Sequence, residues 1–326
     1  MIMWTSEEII NLVNRQIGDV ARDRRPEGLY APIRYVLSLG GKRVRPVLLL
    51  MAYNLYKEEI GGALKQALAI ETYHNYTLLH DDLMDRADMR RGKPTVHKVW
   101  DENTAILSGD SMLVLAYKMM AECPDEARGR VLELFSRTAL EIGEGQQHDM
   151  DFEKRMDVSE DEYIEMIRLK TSVLLACALK IGAIMGGAPD EDADNLYTFG
   201  EKLGLAFQLQ DDYLDVYGNP EVFGKNIGGD ILCNKKTYML INALLRADAG
   251  QRAELEKWIT ADAYVPAEKI RKVTALYNQI GIKELCTDRI NRYFEEAGLA
   301  LEKVALPVVQ KRELQSFAHS LLNREY

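Results

Sequence analysis

The stretch YIEMIRLKTSVLLACALKIG, Tyr163 to Gly182, decides the fold. Its residues Ile164, Ile167, Leu174, Ala178 and Ile181 recur at helical three-to-four spacing, and strict strand-type alternation is scarce here and along the whole chain. It lies in a proline-free run from Asp125 to Ala188, and two further runs cover Val47 to Lys93 and Asp190 to Asn219. Proline breaks a helical hydrogen-bond ladder, so such runs predict long helices. Glycine, proline and small polar residues gather at 24–28, 38–46, 58–62, 90–95, 122–126, 186–192 and 217–230, which divides the chain into ten or more helices. With no solenoid-period repeat and no low-complexity linker, residues 1–326 read as one all-α domain, a large helical bundle.

Composition narrows the function. Of 326 residues, 47% are hydrophobic and 28% charged, enough for a globular chain with a substantial core. The net charge of −10 argues against a general binder of nucleic acid, whose footprint is basic. Cys123, Cys177, Cys233 and Cys286 stand far apart with no CxxC pair, which suggests neither a zinc site nor a disulfide framework and fits a reducing cytoplasm. The start, MIMWTSEEII, lacks a basic region followed by an apolar run, and no uninterrupted run of 18 apolar residues is found, so no membrane span is expected.

The unusual charge lies in LLHDDLMDRADMRRG, Leu78 to Gly92, at the end of an apolar helical segment. Asp81 and Asp85 are spaced i, i+4, about 40° apart around a helix, while Asp82 is turned aside. Like charges so placed repel, and a divalent cation relieves the conflict. Oxygen donors with no nearby cysteine suit magnesium, which takes one or two carboxylates plus phosphate oxygens and water. A second copy, DDYLD, runs from Asp211 to Asp215 with the same outer spacing, so two carboxylate clusters are expected to cage several ions. Basic residues accompany them: GGKRVRP presents Lys42, Arg43 and Arg45, MRRGK presents Arg90, Arg91 and Lys93, and the segment after Phe223 adds Lys225, Lys235 and Lys236. Three basic clusters interleaved with two acidic ones point to diphosphate, and the absence of a GxxxxGK[ST] loop points away from a nucleotide.

The ordered set GGKRVRP, YHNYTLLHDDLMDRADMRRGKPT, KTSVL, FQLQDDYLDVYG, GKNIGGD and NKKT closely resembles the trans-isoprenyl diphosphate synthases, or polyprenyl synthetases, most strongly over residues 38 to 240. The resemblance implies an all-helical isoprenoid synthase-like fold around a deep central cavity, usually a homodimer, that joins isopentenyl diphosphate to an allylic diphosphate. On the same resemblance Asp81, Asp85 and Asp211, supported by Asp215, coordinate about three magnesium ions. Arg90, Lys170, Lys225 and Lys235 touch the allylic diphosphate, and Lys42, Arg45, His74 and Arg91 hold isopentenyl diphosphate. Thr171 and Gln208 lie beside the reacting carbons. Aromatics four or five positions before the first motif limit product length in the family, which assigns that role to Tyr76, with Tyr73 and Thr77 beside it, and favours farnesyl or geranylgeranyl diphosphate.

Chemistry agrees with this assignment. Charge on the departing diphosphate is stabilised, the allylic carbon–oxygen bond ionises, the isopentenyl double bond attacks and a proton leaves, so no side chain need be a nucleophile. The competing readings are a longer-chain synthase, a class I terpene cyclase, which has no use for Lys42, Arg45 and His74, and a non-catalytic subunit, in which the metal motifs would be eroded.

Overall fold

The computed structural model describes residues 2–219 and 227–322; Lys225, assigned above to the allylic diphosphate, lies outside them. The all-α expectation holds. The first ten helices are α1 Ser6–Ile17, α2 Glu27–Ser38, α3 Val44–Asn54, α4 Leu64–Met84, α5 Val96–Val99, α6 Glu102–Met120, α7 Asp125–Glu153, α8 Glu160–Ile167, α9 Val173–Gly186 and α10 Asp190–Tyr217. Helices Gly229–Leu232, Tyr238–Arg246, Ala249–Thr260, Pro266–Ile280, Ile282–Lys303 and Val308–Leu322 follow. Several starts are written in the sequence: Thr5 with Glu8 and Ser159 with Glu162 form reciprocal capping boxes that satisfy the first free N–H groups of α1 and α8. Strand pairing among the described residues is confined to a hairpin, β1 Met89–Arg90 against β2 Lys93–Pro94. Arg91 and Gly92 turn it, both with positive φ, as a two-residue type I′ turn requires.

The chain divides into two compact units. The first comprises Met1–Ser136, Cys177–Tyr197 and Lys303–Gln315. Within it Leu48, Leu49 and Leu50 of α3 and Ala67, Ala69 and Ile70 of α4 are buried, and α4 packs along α6. Small residues set the closeness: Gly182 lies on the Leu49 carbonyl, and Gly109 of α6 lies on the His80 ring, where a Cβ would collide. The second unit comprises Arg137–Ala176, Thr198–Glu302 and Ser316–Tyr326, with a core that includes Tyr163, Leu205, Leu209, Met239, Tyr277 and Cys286.

The central apolar segment is the one place where the long-helix expectation needs correction. The segment Glu160–Gly186 contains an 18-residue window of mean hydropathy 1.6, long and apolar enough to cross a bilayer, yet 83% of that window is buried inside the protein. It is a core segment, since apolar burial in protein and in lipid demand the same side chains. It is also not one uninterrupted α-helix: α8 and α9 are joined by a π-helical turn, Arg168–Ser172. The turn is gripped from both sides by glycines of the second unit. A Cβ on Gly145 of α7 would meet the Lys170 backbone, with Cα at 2.8 Å, and one on Gly204 of α10 would meet Ser172 Cα at 2.6 Å. Such turns add one residue to the helical ladder and re-aim the side chains they carry, here Lys170 and Thr171.

Candidate active site

In the first unit, α4 ends at Met84 and Asp85 is its C-cap, its N–H donating to the Asp81 carbonyl at 2.9 Å. Asp81 and Asp85 thus stand one turn apart at a helix end, both reachable from solvent. Asp82 is turned inward and buried, and it grips Arg90 of the hairpin: Arg90 Nε donates at 2.9 and 3.2 Å to its two oxygens and Nη2 at 2.5 Å. Burial raises the Asp82 pKa against the pull of Arg90, and the pairing in turn holds Arg90 Nη2 at 3.9 Å from Asp81. The aspartate that spacing set aside therefore fixes a residue assigned to the allylic diphosphate.

The same helix presents a second arrangement one to two turns earlier. Arg45 Nη1 lies 3.0 Å from His74 Nε2. Burial, then the charges of Arg45, Arg91, Arg90 and Arg43, push the His74 pKa well below its ordinary value, so the ring is neutral and Nε2 accepts from the guanidinium. Arg91 donates to the Gly40 carbonyl, and Gly41, with φ of 134°, leaves the space in which its guanidinium lies. Lys42 follows in that loop and is exposed. Arg45, His74 and Arg91 are thus gathered around the Gly40–Arg43 loop. Arg43 is not presented with them; it is 4% exposed and points into the core.

Aromatic rings flank His74 in the sequence of α4. Tyr76 packs against Tyr73 at 5.4 Å between centroids and against His80 at 4.9 Å, so it shares a face with residues three before and four after rather than with Asp81. Tyr73 is buried against Phe135, and Thr77 donates its hydroxyl to the His74 carbonyl.

The second unit carries the other half of the assigned residues. Thr171 Oγ1 donates to Gln208 Oε1 at 3.1 Å, Gln208 Nε2 donates to Asp212 Oδ1 at 3.1 Å, and Tyr163 donates its hydroxyl to Asp212 Oδ2. Asp212 is again the inward middle aspartate; burial, with Asp230 adding, pushes its pKa up to about 7 despite Lys235, Tyr163 and Gln208. Lys170 Nζ sits 2.7 Å from Asp149 Oδ2 of α7. Burial opposes the charge on Lys235, but Asp230, Asp212 and Asp149 outweigh it and raise the amine above its usual range. Asp215 Oδ2 accepts from the Asp230 N–H at 2.9 Å, capping the helix Gly229–Leu232 and tying the turn that bears Lys235 to α10. Asp211 is left half-exposed beside this network.

Sequence reasoning missed Asp82, Asp212, Tyr163, Asp149 and the buried side of Arg43. One signal was available for Asp149: Gly145 stands deep inside the 29-residue helix α7, where glycine costs about 1 kcal/mol and so marks a close packing contact.

Comparison with known proteins gives the family. The polyprenyl synthetase family matches residues 26–280. A geranylgeranyl diphosphate synthase of Methanosarcina mazei is 38% identical over 100% of both chains. A solved geranylgeranyl pyrophosphate synthase superposes with a TM-score of 0.95 at 42% identity, covering 99% of this chain and 100% of that one. A decaprenyl diphosphate synthase of Rhodobacter capsulatus superposes with a TM-score of 0.88 at 30% identity over 98% and 97% of the two chains. The chain belongs to the polyprenyl synthetase family and is a trans-prenyltransferase.

Proposed function

We propose that the chain condenses isopentenyl diphosphate head-to-tail with an allylic diphosphate and releases geranylgeranyl diphosphate. The observation that carries this reading is that α4 has a carboxylate pair at its C-terminal end and, two turns earlier, His74 held beside Arg45. The pair Asp81 and Asp85 suits a metal-bound diphosphate; His74 with Arg45 and Arg91 suits one held by charge and hydrogen bonds alone. A cyclase needs only the first.

The donors fit magnesium. Each outer pair offers two carboxylates, and among the described residues no three His, Cys, Asp or Glu side chains converge as a complete protein cage. Two hard donors with the remaining positions left to water and phosphate oxygens is magnesium's habit. Asp81, Asp85 and Asp211 would hold the ions, with Asp215 behind them. Magnesium, when bound, supplies positive charge against the departing diphosphate. By the family resemblance, Arg90, Lys170 and Lys235 would add charge to the leaving group as the allylic carbon–oxygen bond breaks, and Lys42, Arg45, His74 and Arg91 would hold the isopentenyl diphosphate whose double bond forms the new carbon–carbon bond. The proton lost from that unit goes to the released diphosphate. Thr171 and Gln208, aligned by Asp212, face the reacting carbons. The protein would act in the cytoplasm as a homodimer; Leu107 and Val114, two turns apart on α6, are 58% and 67% exposed and offer an apolar stripe to a second copy.

Product sizing tests the reading: incubation with isopentenyl diphosphate, magnesium and dimethylallyl, geranyl or farnesyl diphosphate should end at twenty carbons from each primer. The relatives' names favour that length, while the decaprenyl synthase shows that the fold admits longer ones. Tyr76 is the residue expected to set the limit. Tyr76→Ala removes a ring from the stack with Tyr73 and His80 and should lengthen the products, with the first condensation little changed. An unaltered product distribution would place the limit elsewhere.

A further inference from the structure

We infer that Arg43 is a positioning residue for isopentenyl diphosphate: it touches no substrate, but it fixes the loop from which Lys42 and Arg45 reach the diphosphate, with Glu71 as its buried counter-charge. The inference rests on the proposed roles of Lys42, Arg45, His74 and Arg91. Of the three basic residues in KRVR, the middle one turns away from the others into the core. Its guanidinium uses all three nitrogens. Nε donates to Asn14 Oδ1 of α1 at 2.9 Å, Nη1 to Glu71 Oε1 of α4 at 2.6 Å, and Nη2 to the Leu37 carbonyl of α2 at 3.1 Å. Glu71 is 2% exposed and also accepts from Asn75 Nδ2 at 3.1 Å.

Arg43 is at the same time the N-cap of α3, with φ of 50°, a left-handed backbone that a residue with a Cβ avoids unless its surroundings hold it there. Three helices hold this one. The loop therefore has two anchors, Arg91 on the Gly40 carbonyl and the Arg43 side chain in the core, and Lys42 lies between them. Glu71 and His74 are three residues apart on α4, so the group that anchors Arg43 and the group that holds Arg45 are neighbours on one helix face. Lysine could replace the charge of Arg43 but not its fork, which joins three directions at once. Glu71 is needed because a lone buried guanidinium beside Arg45 and Arg91 would be strongly disfavoured.

The test is steady-state kinetics of Arg43→Lys and of the double variant Arg43→Met, Glu71→Leu, each with thermal melts. The double variant removes both charges together and so leaves no unpaired charge in the core. Both should raise the Michaelis constant for isopentenyl diphosphate by about tenfold, with kcat and the allylic constant nearly unchanged, because a diphosphate that does not depart is held alike in the ground and transition states. Lys42→Ala is the control for the underlying assignment. If it raises the isopentenyl constant while the folded double variant does not, the positioning role is wrong and the site stands. If Lys42→Ala and Arg45→Ala both leave that constant unchanged, the site assignment falls and the inference with it. Equal losses in all three kinetic constants, or failure of both Arg43 variants to fold, would make the pair a core strut only and overturn the inference.

Discussion

Alanine at Asp81 or at Asp211 should lower kcat by about a thousandfold or more, the equivalent of roughly 4 kcal/mol of barrier, because each change removes one hard-oxygen donor from an outer acidic pair. Both side chains are partly exposed, so thermal melts should move little. The inward aspartates should behave differently. Asp82→Ala strips Arg90 of its bidentate partner, and Asp212→Ala leaves the buried Tyr163 hydroxyl and the Gln208 amide without an acceptor, so both variants should lose stability as well as rate. Turnover assays at saturating magnesium beside melting curves separate the two classes. Near-normal turnover in Asp81→Ala or Asp211→Ala would remove the metal role from the outer pairs.

The second large effect is expected at a residue with no side chain. Gly145→Ala adds one methyl group where α7 meets the π turn, and the nearest atoms are the backbone of Leu169 and Lys170 rather than a side chain that could swing away. Overpacking against backbone costs about 1–3 kcal/mol of stability. Relief requires Lys170 and Thr171 to move, which breaks the 2.7 Å contact of Lys170 with Asp149 and the 3.1 Å bond of Thr171 to Gln208. A displacement of about 1 Å in such a constellation lowers rate by about a hundredfold. A melt combined with kcat checks this; a variant as active as the wild type would show that the turn is free to shift.

Helix content and the outer aspartates were legible in the sequence because both depend on local spacing. Periodicity reports which side chains share a face, and Ile164, Ile167, Leu174, Ala178 and Ile181 do so. It does not report the backbone ladder: the seven-residue interval from Ile167 to Leu174 spans the π turn without disturbing the pattern. Spacing also shows that Asp82 and Asp212 differ from their neighbours, but turned aside proved to mean turned inward, and the partners that make burial tolerable stand eight and 49 residues away. Arg43 is the same case. A basic run reads as surface, and Glu71, which lets one member be buried, is 28 residues distant on another helix. Non-local pairing of charge leaves no periodic trace. The resemblance to a family located the loops and motif residues, and the side-chain partners came only with coordinates.

The central claim is that this chain transfers a prenyl group to isopentenyl diphosphate, and the most direct measurement is stoichiometry. Purified wild-type protein would be given farnesyl diphosphate, labelled isopentenyl diphosphate and magnesium, with diphosphate release and label incorporation followed together. One diphosphate released for each isopentenyl unit incorporated into a twenty-carbon product is the expected result, with both processes stopped by chelation of the metal. Diphosphate released from farnesyl diphosphate with no label incorporated would contradict the claim, as would the absence of both.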